Sequence, residues 1–268
     1  MVESRNKECS LIGNKYHLTG LSFPIRFRDN SNLFHLEELM TEPTQQVSEA
    51  DRLDAQRKKL FSLMEAAFTP ERYEKIVKLY DEYGDRLITA PASSKVHYHN
   101  AYSGGYIDHV LHVHDCALEF VKTLKKMDGW VDFTRSELVM ATIHHDLWKL
   151  GMPGGPSYYE LETSDWHRTN QGSMFKHNQN LPFFKVTDGA AFVLQSRGIE
   201  LTYNEYMAIK LSDGLYEDSN KGYLMNYGKF AIHTNLGYVV HWADHMSTVT
   251  ERDPLRQEFM ESMSHNDD

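Results

Sequence analysis

Cysteine is nearly missing. Cys9 and Cys116 are the only two in 268 residues, too few for a disulfide framework. Long apolar runs are missing too, so no segment reads as a membrane-spanning helix. The opening MVESRNKECS is polar and charged and lacks the apolar stretch of a signal peptide. Together these absences make a reducing cytoplasm the expected compartment. An excess of positive charge is also absent: 28 Lys+Arg face 38 Asp+Glu, a formal charge of −10. A duplex nucleic acid, which needs a basic footprint, is therefore not an expected partner. A small phosphorylated substrate stays open, because a metal and a few local cations can hold a phosphate inside an acidic protein. A homo-oligomer is equally compatible.

Strand-like alternation is scarce and no internal repeat is visible, so the expected fold class is all-α. A hydrophobic fraction of 41% supports an ordinary core, and the length suits one large domain with an appendage. Residues 1–44 read as an irregular segment punctuated by Gly13, Gly20, Pro24 and the Asp29–Asn32 cluster. Residues 45–268 read as one helical domain. Leu53, Leu60, Leu63, Met64 and Ala67 recur at helical spacing. Pro70 opens a second helix that ends near Gly84. A long helix is expected from the Gly104-Gly105 pair to about Met127, and another, capped by Thr134 or Ser136, to Leu150. Residues 152–186 form an excursion too long for an ordinary connection, with short elements or a lid role. Further helices are expected at about 187–196 and 202–211, the latter opened by a Thr202–Glu205 capping box. The last long helix is expected over about 227–251, broken by Pro254.

Fifteen histidines is a high count, and histidine is the commonest metal-ligand type. In ATIHHDLWKLG (141–151), His145 shares a helical face with Leu138, Ala141 and Thr142, with Asp146 beside it. Burying an imidazole next to a carboxylate is costly without a partner, and a divalent cation is one such partner. In GGYIDHVLHVHDC (104–116), His109 lies near the apolar arc of Tyr106, Val110, Val113 and Ala117. The neighbouring His114-Asp115 pair is expected on the solvated face. In HWADHMST (241–248), Asp244 shares a face with Gly237, Val240, His241 and Ser247. A lone core histidine is usually a hydrogen-bonded structural residue. Four groups on inward faces, His109, His145, Asp146 and Asp244, instead suggest one divalent ion. Two imidazole nitrogens and two carboxylate oxygens suit Mn²⁺, Fe²⁺, Co²⁺, Ni²⁺ or Zn²⁺, and Mg²⁺ stays open.

The order of these pieces, a His after a GG pair, then His-Asp, then a distant Asp, resembles the H…HD…D pattern of the HD superfamily of metal-dependent phosphohydrolases. TAPASSKVHYHNAYSGGYIDH (89–109), HHDLWKLG (144–151) and LTYNEYMAIKLSDG (201–214) resemble segments of a bacterial and phage HD hydrolase group. The likeness spans about residues 68–252. Two positions depart from it: Val186 stands where a histidine is expected, and Ser212-Asp213-Gly214 stands where that group has H-x-G. Those departures favour a mononuclear site.

The resemblance implies an HD-type helical bundle that cleaves a phosphoester or phosphoanhydride of a nucleotide-type substrate by a metal-activated water. Asp146 would ligate the metal and orient the water, and Lys149, one turn on, would contact phosphate. Ser93, Ser94, Lys95 and His99, in the loop before the first ligand helix, are expected at the substrate, as are Arg168 and His177 in the excursion. Tyr158, Tyr159 and Trp166 either stack on a base or pin that loop down. His144, His233, His241 and His245 are read as structural or supporting. Two other classes stay open: an HD-fold iron oxygenase, and a degenerate HD protein that binds a nucleotide without turning it over.

Overall fold

The computed structural model describes residues 48–226 and 228–264, so the irregular segment expected for 1–44 lies outside the described residues. Helix starts follow the capping chemistry. Ser48 accepts the Asp51 amide and opens α1 (Glu49–Glu65), which buries Leu53, Leu60 and Met64. Thr69 caps α2 (Pro70–Tyr83), with Pro70 in the first turn and Gly84 closing it at a φ of 56°. A single turn, α3 (Arg86–Thr89), leads into the loop before α4 (Gly105–Lys126). The glycine pair at that junction is sterically dictated. Gly104 has a φ of 86°, and a Cβ on Gly105 would collide with the Asn100 carbonyl.

Thr134 and Glu137 form a full capping box at the start of α5 (Arg135–His144). This helix stops short of the expected Leu150. Asp146 has φ −101° and ψ 11°, and a 3-10 turn (Leu147–Leu150) follows. The reason is directional: successive α-helical side chains diverge by about 100°. A break at Asp146 lets consecutive His145 and Asp146 aim at one point. Gly189, on α7 (Val186–Ser196), leaves room for the buried Trp148 ring of that turn, which a Cβ would strike.

The excursion contains β1 (Tyr159–Leu161), α6 (Asp165–Gln171) and β2 (Phe175–His177), the strands pairing antiparallel. The expected capping box at Thr202 opens α8 (Tyr203–Leu211). After α9 (Lys221–Leu224) comes α10 (Leu236–Ser264). This last helix differs from expectation at both ends. It begins at Leu236, where Asp132 accepts the Asn235 amide at 3.0 Å, and it continues past Pro254. A proline removes one hydrogen bond, but the turns on either side still carry the helix.

The described residues group as one compact unit. α4, α5, α8 and α10 pack on one another. Their core includes Val110 and Val113 of α4, Val139 and Ile143 of α5, Ile209 of α8 and Val240 and Ala243 of α10. The chain is thus mostly helical, and no described helix is long and apolar enough to cross a membrane. His114 corrects the solvated-face expectation: it is buried and meets Thr142 Oγ1 at 2.9 Å, tying α4 to α5. Asp115 does face solvent, 2.8 Å from Lys59 Nζ.

One buried ion pair locks α2 to α8. Arg72 grips Glu205 with both guanidinium nitrogens, at 2.7 and 2.6 Å, while Glu205 is fully buried and also caps its own helix. Removing one member of such a pair leaves a stranded charge. Arg72→Ala is expected to cost about 3 kcal/mol of stability. It should appear as a lower urea midpoint with an unchanged slope. An unshifted midpoint would mean that water replaces the guanidinium freely.

Candidate metal centre

Three elements converge. α4 supplies His109, the end of α5 supplies His145 and Asp146, and α10 supplies Asp244. His109 Nε2 lies 3.2 Å from Asp244 Oδ1 and 3.5 Å from Asp146 Oδ2. His145 Nε2 lies 3.6 Å from each of the same oxygens. Among the described residues, His109, His145 and Asp146 bring ligand atoms within 4.8 Å of one another. His99, His109 and Glu251 form a second such group.

The outer nitrogens settle which ring atom faces inward. His109 Nδ1 is 3.0 Å from a Glu251 carboxylate oxygen, and that carboxylate also reaches His112 Nδ1 at 2.9 Å. His145 Nδ1 donates to the Thr142 carbonyl at 2.9 Å. With each Nδ1–H engaged outward, both Nε2 atoms point to the centre, the arrangement that orients metal-bound histidines. Both Nε2 atoms are buried and lack a hydrogen bond. Two orphaned imidazole nitrogens facing two carboxylate oxygens fit a divalent cation, so these buried groups could hold a metal ion.

The electrostatics have the same origin. Burial would lower the His109 pKa, but Asp244 and Glu251 outweigh it and lift it to about 10. Burial opposes ionisation of Asp146, yet Lys149 and the two imidazoles hold its carboxyl below the ordinary range. Glu251 is drawn down to about 2 because its bonds to His109 and His112 outweigh burial. Burial, with Lys149 nearby, pushes His99 to about 3. Burial, with Asp146 and Asp244 nearby, raises Asp213 to about 6.

A cavity of about 280 Å³ opens onto this centre, lined by Asp146, Asp244, His99, Lys149, Asp213 and Arg252 among others. Val186 and Ser212 also line it, so both positions that depart from the HD pattern face the centre. Lys149 Nζ lies 2.6 Å from Asp146 Oδ2 and is largely buried. Ser93 is buried and donates to the His99 carbonyl at 2.5 Å. Its hydroxyl shapes the turn that brings His99 inward, and the His99 ring packs 4.7 Å from that of His109. The Ser94 carbonyl accepts the Met174 and Phe175 amides, and Lys95 bridges to Ser173, so this loop also holds the excursion. Arg168 is exposed on α6, and His177 sits on β2 against Tyr158 and Tyr159; neither lines the cavity. His144 is buried, 2.9 Å from the Met140 carbonyl, and is structural.

Two residues at the centre were not expected from sequence, Glu251 and Arg252. Arg252 contacts the Thr248 carbonyl through Nε at 3.2 Å and pairs with no carboxylate among the described residues. Both extend the Asp244 face of α10 by two turns, so the helical period carries the signal once the helix is known to continue.

No protein-family model, no curated protein and no solved structure matches the chain. The class is therefore defined by the chain's own features: a mostly helical domain with buried His, Asp and Glu groups able to hold a metal.

Proposed function

We propose that the chain is a metal-dependent phosphohydrolase of the HD superfamily, acting on a nucleotide-type substrate with water as the nucleophile. The observation that supports this most is the pair of buried, unpartnered Nε2 atoms facing Asp146 and Asp244, with a lysine 2.6 Å from Asp146. His109, His145, Asp146 and Asp244 would hold one divalent ion. Val186 and Ser212 stand where the resemblance expects histidines, and their lack of a nitrogen ligand favours a mononuclear site, although His99, His241 and His245 also line the cavity. When bound, a divalent cation lowers the pKa of water and polarises a phosphoryl oxygen.

The residues supply the rest. Asp146 orients the attacking water. Lys149 and Arg252 oppose the charge that develops on the phosphoryl oxygens. Asp213, raised to about 6 and lining the cavity, can hand a proton to the leaving oxygen. The small number of cavity cations suits one short phosphate chain better than a tracked polyanion.

The direct test is a phosphate-release screen over nucleotides with Mn²⁺, Co²⁺, Ni²⁺ and Mg²⁺, each reaction repeated with chelator. Release that chelation stops is expected. Metal-dependent O₂ consumption without phosphate release would move the chain to the oxygenase class. Metal loading should also release protons. With its pKa near 10, His109 carries a proton at pH 7 that a cation must displace. Apparent metal affinity should therefore rise as pH rises above neutrality. Calorimetry of Mn²⁺ binding in two buffers of different ionisation enthalpy should report roughly one proton or more released per chain. Zero release would show that His109 gives up no proton to the ion.

A further inference from the structure

Lys149 lines two cavities. One is the cavity of the candidate metal centre, and the other, of about 400 Å³, lies against the excursion. The strand register explains the second cavity's wall. Leu161 pairs directly with Phe175, and Tyr159 with His177. Tyr159, Leu161 and Phe175 therefore share one face of the two-stranded ribbon, and all three line the cavity. The Tyr159 and Phe175 rings lie 6.4 Å apart. Leu161 is 70% exposed, so this apolar face is a wall rather than core. Ala90, Pro91 and Leu150 continue it.

The polar side chains around this cavity are mostly committed elsewhere. Arg86 donates to the Leu150, Met152 and Pro156 carbonyls at 2.9, 3.0 and 3.2 Å. Thr89 donates to the Asp85 carbonyl and Ser157 to that of Tyr159, each at 2.9 Å. Beyond Lys149, the hydroxyls of Ser103 and Tyr159 have no hydrogen-bond partner among the described residues and are left to meet a ligand.

We infer that this cavity is the subsite for a planar aromatic group carried by the substrate, whose phosphate lies on the other side of Lys149. The inference rests on the phosphohydrolase reading and adds the substrate class. An apolar wall with two free hydroxyls recognises a flat ring by contact and reads its edge poorly, because strong discrimination needs buried polar groups that a wrong ligand leaves unpaired. The site accepts different bases and rejects substrates with no ring.

The test compares kcat/KM for AMP, GMP, CMP and UMP with phenyl phosphate and ribose 5-phosphate. The four nucleotides should agree within about tenfold, and AMP should exceed ribose 5-phosphate by about tenfold or more, given that one base stack contributes about 1–3 kcal/mol. In Phe175→Ala and Leu161→Asp that AMP-to-ribose-phosphate ratio should fall by about tenfold; Leu161, being exposed, can change without disturbing the fold. An unchanged ratio in both variants, or a spread above about a hundredfold among the bases, overturns the proposal. Phenyl phosphate distinguishes the sources of the ring: sensitivity to both variants assigns the wall to aryl groups generally, and insensitivity assigns it to nucleobases. If no phosphoester is hydrolysed, adenosine binding followed by NMR tests the subsite alone. Binding lost in both variants supports it, and equal binding in wild type and variants overturns it.

Discussion

Asp146→Ala is expected to lower kcat/KM by about a thousandfold or more, equivalent to about 4 kcal/mol of transition-state stabilisation, and to leave the purified protein without bound metal. Asp146 has three neighbours in the centre: His109 Nε2 at 3.5 Å, His145 Nε2 at 3.6 Å and Lys149 Nζ at 2.6 Å. Truncation takes away a carboxylate ligand and strands a buried ammonium beside two imidazoles. Asp244 would then be the one carboxylate left between the two imidazole Nε2 atoms, which opposes entry of a further cation. Elemental analysis and steady-state kinetics on the same preparation give the two readouts, and circular dichroism checks the fold. Should the alanine variant misfold, Asp146→Asn keeps the shape while removing the charge, and the same loss of metal is expected. A variant with full metal content and unimpaired turnover would end the assignment of Asp146 to this centre.

The candidate ligands were legible because they obey the helical period. His109, His145 and Asp244 each continue an apolar stripe, and a polar group on such a stripe needs a buried partner. The same reasoning failed at His114, where α5 covers a wider arc of α4 than the apolar residues mark. Thr142 then satisfies the ring, a contact that depends on two helices and is invisible in either one. Helix starts were equally plain: Pro70 opens α2, and Thr134 and Thr202 cap α5 and α8 as expected. The start of α10 was not, because Asp132, about a hundred residues earlier in sequence, accepts the Asn235 amide just before its first residue. Glu251 stood at the last residue of the expected helix and was given no role, and Arg252 lay just beyond it. The excursion could be bounded but not folded from sequence, since two three-residue strands have no core period of their own.

Lys149→Ala is expected to lower kcat by about a hundred- to a thousandfold, the range found when one preorganised donor to a developing oxyanion is removed, while metal content stays at the wild-type level. The contrast with Asp146→Ala tests the role. Lys149 is largely buried, and burial disfavours its charge, yet the adjoining Asp146 carboxylate outweighs burial and raises its pKa. The ammonium is therefore charged at any working pH and held at the junction of the two cavities. It donates protons and cannot ligate a cation, so its loss removes charge stabilisation without removing a ligand. A merely structural lysine would behave differently: without it Asp146 would reorient, and metal content would fall together with kcat. Lys149→Arg sharpens the test. The guanidinium keeps the charge but spreads it over a planar group, where the compact ammonium sits 2.6 Å from Asp146. Metal retention with partial recovery of kcat is expected for arginine, and metal retention with the full loss for alanine. Wild-type kinetics in the alanine variant, or metal lost from it, would assign Lys149 to the scaffold of the centre instead of its chemistry.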